Sequence, residues 1–350
     1  MAEVEAYRAT HRKRDQNDDE PDSPSHLCVS VREYYCYKFQ MHPGVFNPVL
    51  HGKRLFQQFA VDTYIKIESS RLDYIRNNQE RLRADLYQGL VDSLHAGEGR
   101  ANAVGKRTVL STSFIGGPRD MRRRYMDAMA LVRKFGKPDI FLTMTCNPNW
   151  DEIKNELLHG QAPQDRPDLV VRVFHAKLEE LKKRLIKQDI LGKVQAYVYV
   201  VEFQKQGLPH AHFLLIMQRK YKLTCPEQYD LLILAEIPDK KKRREDVRKK
   251  EPVRGAVLDS RWVVPYNPYL LRLFNCHINV EACGSIKAVK YLFKYIYKGH
   301  DRASVVVTEG NKADGDVDEI KQYRDARWVT PPEALWRIYG FELSQNSPSV

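Results

Sequence analysis

The chain has 350 residues, and this length allows about two domains. Hydrophobic residues make up 43% of it, enough for a large core, and the formal charge of +12 favours an acidic partner such as DNA. No apolar run approaches the length of a membrane span and no secretory segment is visible, which argues against a membrane-spanning class. The six cysteines form no Cys-x-x-Cys pair, which argues against a zinc ribbon or a redox motif.

The first third of the chain divides into a polar tail and a helical region. Residues 1–26 are rich in Asp, Asn, Arg and Pro, and we expect them to form a disordered tail. Residues 27–135 show mainly helical spacing, including a helix at 118–135. We interpret this region as a DNA-binding accessory region.

The middle of the chain alternates strands and helices. Residues 140–145 predict a short buried strand, and residues 165–188 predict an amphipathic helix with an acidic start. A strand hairpin and a further helix follow. This order favours an α+β fold in which an antiparallel sheet is flanked by helices.

A β-hairpin is predicted around a histidine pair. Residues 194–204 alternate in period two, and a second apolar run starts at His210. The intervening residues 205–209 contain Gly and Pro, which favours an antiparallel hairpin. The register that we predict places Glu202 opposite His212.

His210 and His212 are two residues apart, so both point to one face of their strand. The preceding strand adds Glu202, or Gln204, to the same face. Two imidazoles and a carboxylate can hold one metal ion. The alternative is a pair of strand histidines at a sheet end without a metal.

A helix of about four turns is predicted at residues 285–298. Its apolar residues form one stripe, while Tyr291, Tyr295 and Lys298 gather on a different face. This face makes the two tyrosines candidate nucleophiles. The alternative is that they are ordinary aromatic residues of the core.

Together these motifs resemble the Helitron helicase-like domain, the replication-initiator part of Helitron transposases and a member of the HUH endonuclease superfamily. The resemblance covers nearly the whole chain after about residue 27. The blocks that carry it are residues 54–58, 86–90, 113–119, 141–150, 207–212, 264–268, 277–280 and 290–299.

The resemblance implies a role for each candidate residue. His210 and His212 would bind Mg²⁺ or Mn²⁺, with Glu202 as third ligand, and Tyr291 and Tyr295 would be the nucleophiles of strand cleavage and transfer. Lys298 would stabilise a phenolate or a phosphate oxygen, or would simply be a solvated residue at a helix end. The implied fold is an HUH-type antiparallel sheet with a ferredoxin-like or RRM-like core at residues 136–305.

The implied function is rolling-circle transposition in the nucleus, by nicking and transfer of single-stranded DNA at transposon ends through a 5′-phosphotyrosine. Two departures from the family stand out: a shortened basic insert at residues 236–262, and a truncated C-terminal extension at 306–350. No Gly-Lys pair here is followed by the Ser or Thr of a P-loop. We therefore expect a fragment that needs a DNA helicase domain, in the full polyprotein or in trans.

Two other functions stay open on the sequence. The first is a degenerate, transposon-derived fragment that binds DNA without cutting it. The second is a metal-dependent hydrolase in which water, and not tyrosine, attacks phosphorus.

Overall fold

The computed structural model describes residues 29–79, 108–204, 207–236, 250–253, 256–259, 262–283, 318–325 and 327–349. The helices there are α1 (Val31–Lys38), α2 (Arg54–Asn77), α3 (Pro118–Phe135), α4 (Asp151–Lys154), α5 (Pro167–Ile186), α6 (Pro226–Leu232), α7 (Pro268–Phe274), α8 (Glu319–Asp325) and α9 (Pro331–Ile338). The strands are β1 (Ile140–Thr145), β2 (Val194–Phe203), β3 (Pro209–Met217), β4 (Lys250–Val253), β5 (Ala256–Asp259), β6 (Ile278–Ala282) and β7 (Ser344–Ser347). Within these ranges no helix has both the length and the apolar character to cross a membrane.

Five of these strands form one antiparallel sheet in the order β6-β1-β3-β2-β7, and β4 pairs with β5 separately. Helices flank the sheet, and the part before β1 is mainly helical, which confirms the predicted α+β fold class. Helix α3 and strand β1 have the predicted bounds. Pro at its first turn starts α3, and Gly136, with φ of 94°, ends it.

Strands β2 and β3 form the predicted hairpin, but the predicted register is wrong. Glu202 pairs with His210, and Val200 pairs with His212. Pro209 causes the difference, because it begins β3 as a strand residue instead of closing the turn. The shift is two residues, so every side chain stays on its predicted face.

The two faces of the sheet pack against different layers. One face joins α2, α5 and α9 in a large apolar core, whose fully buried residues include Phe174, Phe213 and Trp336. The other face packs under α3 in a smaller cluster that includes Leu131, Leu214 and Ile216. The sheet is therefore covered on both sides.

The large core joins segments that are far apart in the sequence. Phe56 of α2, Phe213 of β3 and Trp336 of α9 all belong to it, and β7 extends the sheet beside β2. The described parts of regions 27–135, 136–305 and 306–350 thus pack around one core. The boundaries between those regions stay predictions.

Candidate metal centre

The hairpin brings the three predicted metal ligands to one face of the sheet. His210 and His212 are almost buried, with 6% and 7% of their surface exposed. Glu202 Oε2 lies 3.2 Å from His212 Nε2. Gln204, the alternative ligand, follows the end of β2 and is exposed.

Strand β1 holds both imidazole rings from the other side. Thr145 Oγ1 lies 2.9 Å from His210 Nδ1, and Thr143 Oγ1 lies 3.0 Å from His212 Nδ1. At His210, a hydroxyl oxygen that accepts a hydrogen bond from Nδ1–H leaves the lone pair on Nε2, and this is the tautomer with which an imidazole binds metal through Nε2. At His212, the hydrogen bond to the Glu202 carboxylate requires a proton on Nε2. The threonines therefore fix the orientation of both imidazole rings.

His210 Nε2 is buried and has no hydrogen-bond partner among the described residues. Burial, and to a smaller extent the neighbouring His212, lower the pKa of His210 to about 4. The ring is therefore neutral at neutral pH, as a metal ligand must be. A buried polar atom without a partner costs roughly 1–3 kcal/mol, so this nitrogen calls for an explanation beyond packing.

Strand β6 and the residue before it, His277, extend the polar face beyond the three predicted ligands. His277 Nδ1 lies 3.4 Å from Thr145 Oγ1, and Asn279 pairs with Thr143 across the strands. Asn279 Oδ1 is a second buried atom without a hydrogen-bond partner in the described part of the chain. The period-two spacing of His277, Asn279 and Glu281 was the sequence signal that these side chains share a face.

An apolar boundary closes one side of the polar patch. The ring of Phe141 stacks on His212, with 5.9 Å between the ring centroids and an angle of 17°. Beyond it, Leu214 and Ile216 lie under α3. The imidazoles therefore lie where the covered part of this face ends.

The side chains provide suitable donors but not a ready-made metal cage. In the described part of the chain, no three His, Cys, Asp or Glu side chains form a group arranged to hold a metal ion. Glu202 instead bonds to His212. Two imidazoles and one carboxylate nevertheless fit a divalent ion such as Mn²⁺ in chemical type, and the unpartnered Nε2 of His210 fits a ligand role.

The predicted nucleophiles Tyr291 and Tyr295, and Lys298 beside them, lie outside the described residues, as does the helix predicted at 285–298. Residues near the start of the candidate site have structural roles. Asn147 accepts from Asn149 N in a turn, and Trp150 donates from Nε1 to a backbone carbonyl at 2.7 Å.

An antiparallel α+β sheet with two histidines and a carboxylate on one face defines the chain as a domain with a candidate metal centre. Residues 34–215, more than half of the chain, match the model of the Helitron helicase-like domain found at the N-terminus of such proteins. The chain therefore belongs to this family, and a transposon-related function follows from that membership. The match includes β1, β2 and β3 up to Leu215, and ends before β6. No curated protein matches the chain.

Proposed function

We propose that this chain nicks single-stranded DNA at transposon ends and transfers the cut strand, using a divalent metal ion and a tyrosine nucleophile. The observation that carries the proposal is the unpartnered, buried Nε2 of His210 beside the Glu202–His212 pair. A structural role alone does not account for a polar atom left in this state. Family membership provides the link to DNA transposition.

His210, His212 and Glu202 would hold the ion, with Thr143 and Thr145 fixing the two rings. The chemistry supplied by a bound Mg²⁺ or Mn²⁺ is polarisation of the scissile phosphate and balance of its developing charge. Neutral His210 adds no positive charge that would repel the ion.

Tyr291 or Tyr295 would supply the attacking oxygen. An ordinary tyrosine has a pKa of about 10, so its proton must be removed before or during the attack. The phenolate oxygen forms a bond to phosphorus while the P–O3′ bond breaks, and the departing oxygen takes up a proton as a 3′-OH. The product is a 5′-phosphotyrosine, which conserves the bond for rejoining to a second 3′-OH.

The test is to incubate the protein with end-labelled single-stranded oligonucleotides from the transposon ends, with Mn²⁺ or Mg²⁺, and to look for a covalent protein–DNA band on a denaturing gel. We expect a band that is lost in the Tyr291→Phe, Tyr295→Phe double variant and in His210→Leu. Tyr297→Phe changes a tyrosine of the same segment outside the predicted catalytic face and is the matched control. Cleavage that persists in the double variant without attached protein would show a water nucleophile and contradict the proposal.

A DNA-binding fragment without catalytic activity is the second candidate function. The observation that favours it is the absence of a preformed three-ligand group among the described residues. It predicts that DNA is bound but stays intact with either metal, with the unaltered chain and the tyrosine variant binding equally well. We also propose that a helicase domain, in a longer polyprotein or in trans, unwinds the DNA and that the reaction takes place in the nucleus.

A further inference from the structure

A pocket of about 420 Å³ lies at the β7 edge of the sheet, and its most unusual feature is its arginines. Four arginines line it, and they come from four different helices, so the fold gathers charges that are far apart in the sequence. The acidic residue in the lining is Glu342. We call this site the arginine pocket, and its arginines are Arg32 of α1, Arg71 of α2, Arg124 of α3 and Arg337 of α9.

Two of the four arginines have a carboxylate partner, but each of these carboxylates also binds a second arginine. Arg124 lies 2.9 Å from Asp120, which also binds a second arginine. Arg337 lies 3.9 Å from Glu333, which is bound at 2.8 Å by another buried arginine. Asp120 between two guanidinium groups leaves net positive charge beside Arg124. The charge of Arg337 is balanced, because Glu68 and Glu333 together face Arg337 and its buried neighbour.

The other two arginines have no ion pair within the described residues. Arg32 contacts a backbone carbonyl at 3.5 Å, and Arg71 is exposed to solvent. Glu342 is the one carboxylate in the lining of the pocket. The pocket therefore carries an excess of planar, multidentate cations, the groups that bind phosphate best.

The arginine pocket adjoins the candidate metal centre. Across the sheet, His212 pairs with Val200, and Val200 pairs with Ser344 of the edge strand β7. Directly paired residues share a face, and Arg124 of α3 donates to the Ser344 hydroxyl on that face. Two strand spacings separate His212 from Ser344, or roughly 10 Å. A DNA strand at the metal centre can therefore reach the arginines within a few nucleotides.

We infer that the arginine pocket binds a backbone phosphate of the single strand whose scissile bond lies at the metal centre. The inference rests on the proposed function and adds how the strand is oriented. Phosphate contacts fix the register of a strand without reading its bases, so the pocket acts on every sequence alike. The arginines are positioning residues, since they touch the strand away from the reacting phosphorus.

The test measures binding without cleavage. The unaltered chain and the Arg32→Gln, Arg71→Gln double variant are titrated into a fluorescent single-stranded oligonucleotide in EDTA, from about 50 to about 200 mM NaCl. Each phosphate contact contributes about 0.7 to the slope of log binding constant against log salt. The slope is negative, and we expect it to be shallower by about 0.7 to about 1.4 in the double variant than in the unaltered chain.

The matched control is Arg76→Gln, which removes the same charge from α2 at a residue that does not line the pocket and pairs with Asp318 at 2.9 Å. We expect Arg76→Gln to leave the slope unchanged and Arg71→Gln alone to make it shallower. Equal slopes for Arg71→Gln and Arg76→Gln, in variants with unchanged thermal unfolding, overturn the inference. So does protection from unfolding by inorganic phosphate with no change in the DNA slope, because the pocket would then serve a free anion.

Failure of the proposed function shows differently, as the absence of a metal-dependent covalent band. Binding in EDTA does not depend on that band. The shallower slope in the arginine variants together with intact DNA would support the arginine pocket and reject the nickase. A covalent band with an unchanged slope in the arginine variants would support the nickase and reject the arginine pocket.

Discussion

The two faces of the same sheet differ in what their buried side chains do. Every residue of β3 is buried, and its residues alternate between the faces. On one face Ala211, Phe213 and Leu215 join a continuous apolar core. On the other face, Leu214 belongs to an apolar cluster, but His210 and His212 near the start of the strand place imidazoles there.

The comparison separates packing from chemistry. Transfer of apolar surface from water stabilises the first face at about 25 cal/mol per Å², so its composition follows from folding alone. The polar end of the second face works against stability, since it buries His210 Nε2 without a hydrogen bond. Buried groups that lower the stability of the fold and have no structural role occur mainly at functional sites.

The largest effect is expected on the apolar face. Phe213 is fully buried and lies against Tyr199, with 5.2 Å between the ring centroids. Phe213→Ala leaves a cavity in the core, and we expect the free energy of unfolding to fall by about 3–5 kcal/mol. Urea unfolding followed by circular dichroism measures it.

Phe213→Leu is the matched control, because it keeps most of the volume and should cost about 1 kcal/mol. A loss below about 1 kcal/mol for Phe213→Ala would mean that this face is not the well-packed core that the comparison requires.

A much smaller effect is expected on the polar face. His210→Leu removes the buried nitrogen that lacks a partner and puts an apolar side chain in its place. Thr145 keeps a contact with His277 Nδ1 at 3.4 Å. We expect the free energy of unfolding without metal to stay within about 1 kcal/mol of the unaltered chain, or to rise.

The same urea titration, in EDTA, provides the comparison. A loss above about 2 kcal/mol in His210→Leu would show that the imidazole stabilises the fold. The contrast between the faces would then no longer mark a functional site.

Local signals explain what could be predicted from the sequence. Helix α3 follows Gly117-Pro118 and ends at Gly136, and strands β1 and β2 alternate or run apolar as strands do. The two-residue period of a strand was enough to predict that His210 and His212 share a face. The register failed because a proline at a strand start and a proline in a turn look alike in sequence.

Long-range pairing explains what could not be predicted. Strand β7 has the polar sequence Ser-Gln-Asn-Ser and joins the sheet only through its bonds to β2. Thr143 and Thr145 contact histidines that lie 69 and 65 positions further along the sequence. The arginine pocket draws on helices from α1 to α9, so no local pattern could reveal it.

The most direct test of the metal centre is a titration of Mn²⁺ into the unaltered chain and into His210→Leu, with free Mn²⁺ followed by electron paramagnetic resonance. The polar face predicts a Mn²⁺ site in the unaltered chain that is lost in His210→Leu, while Tyr74→Phe, an exposed change on α2, leaves it intact. Equal binding by the unaltered chain and His210→Leu, or no binding by either, would contradict the assignment of His210, His212 and Glu202 as metal ligands.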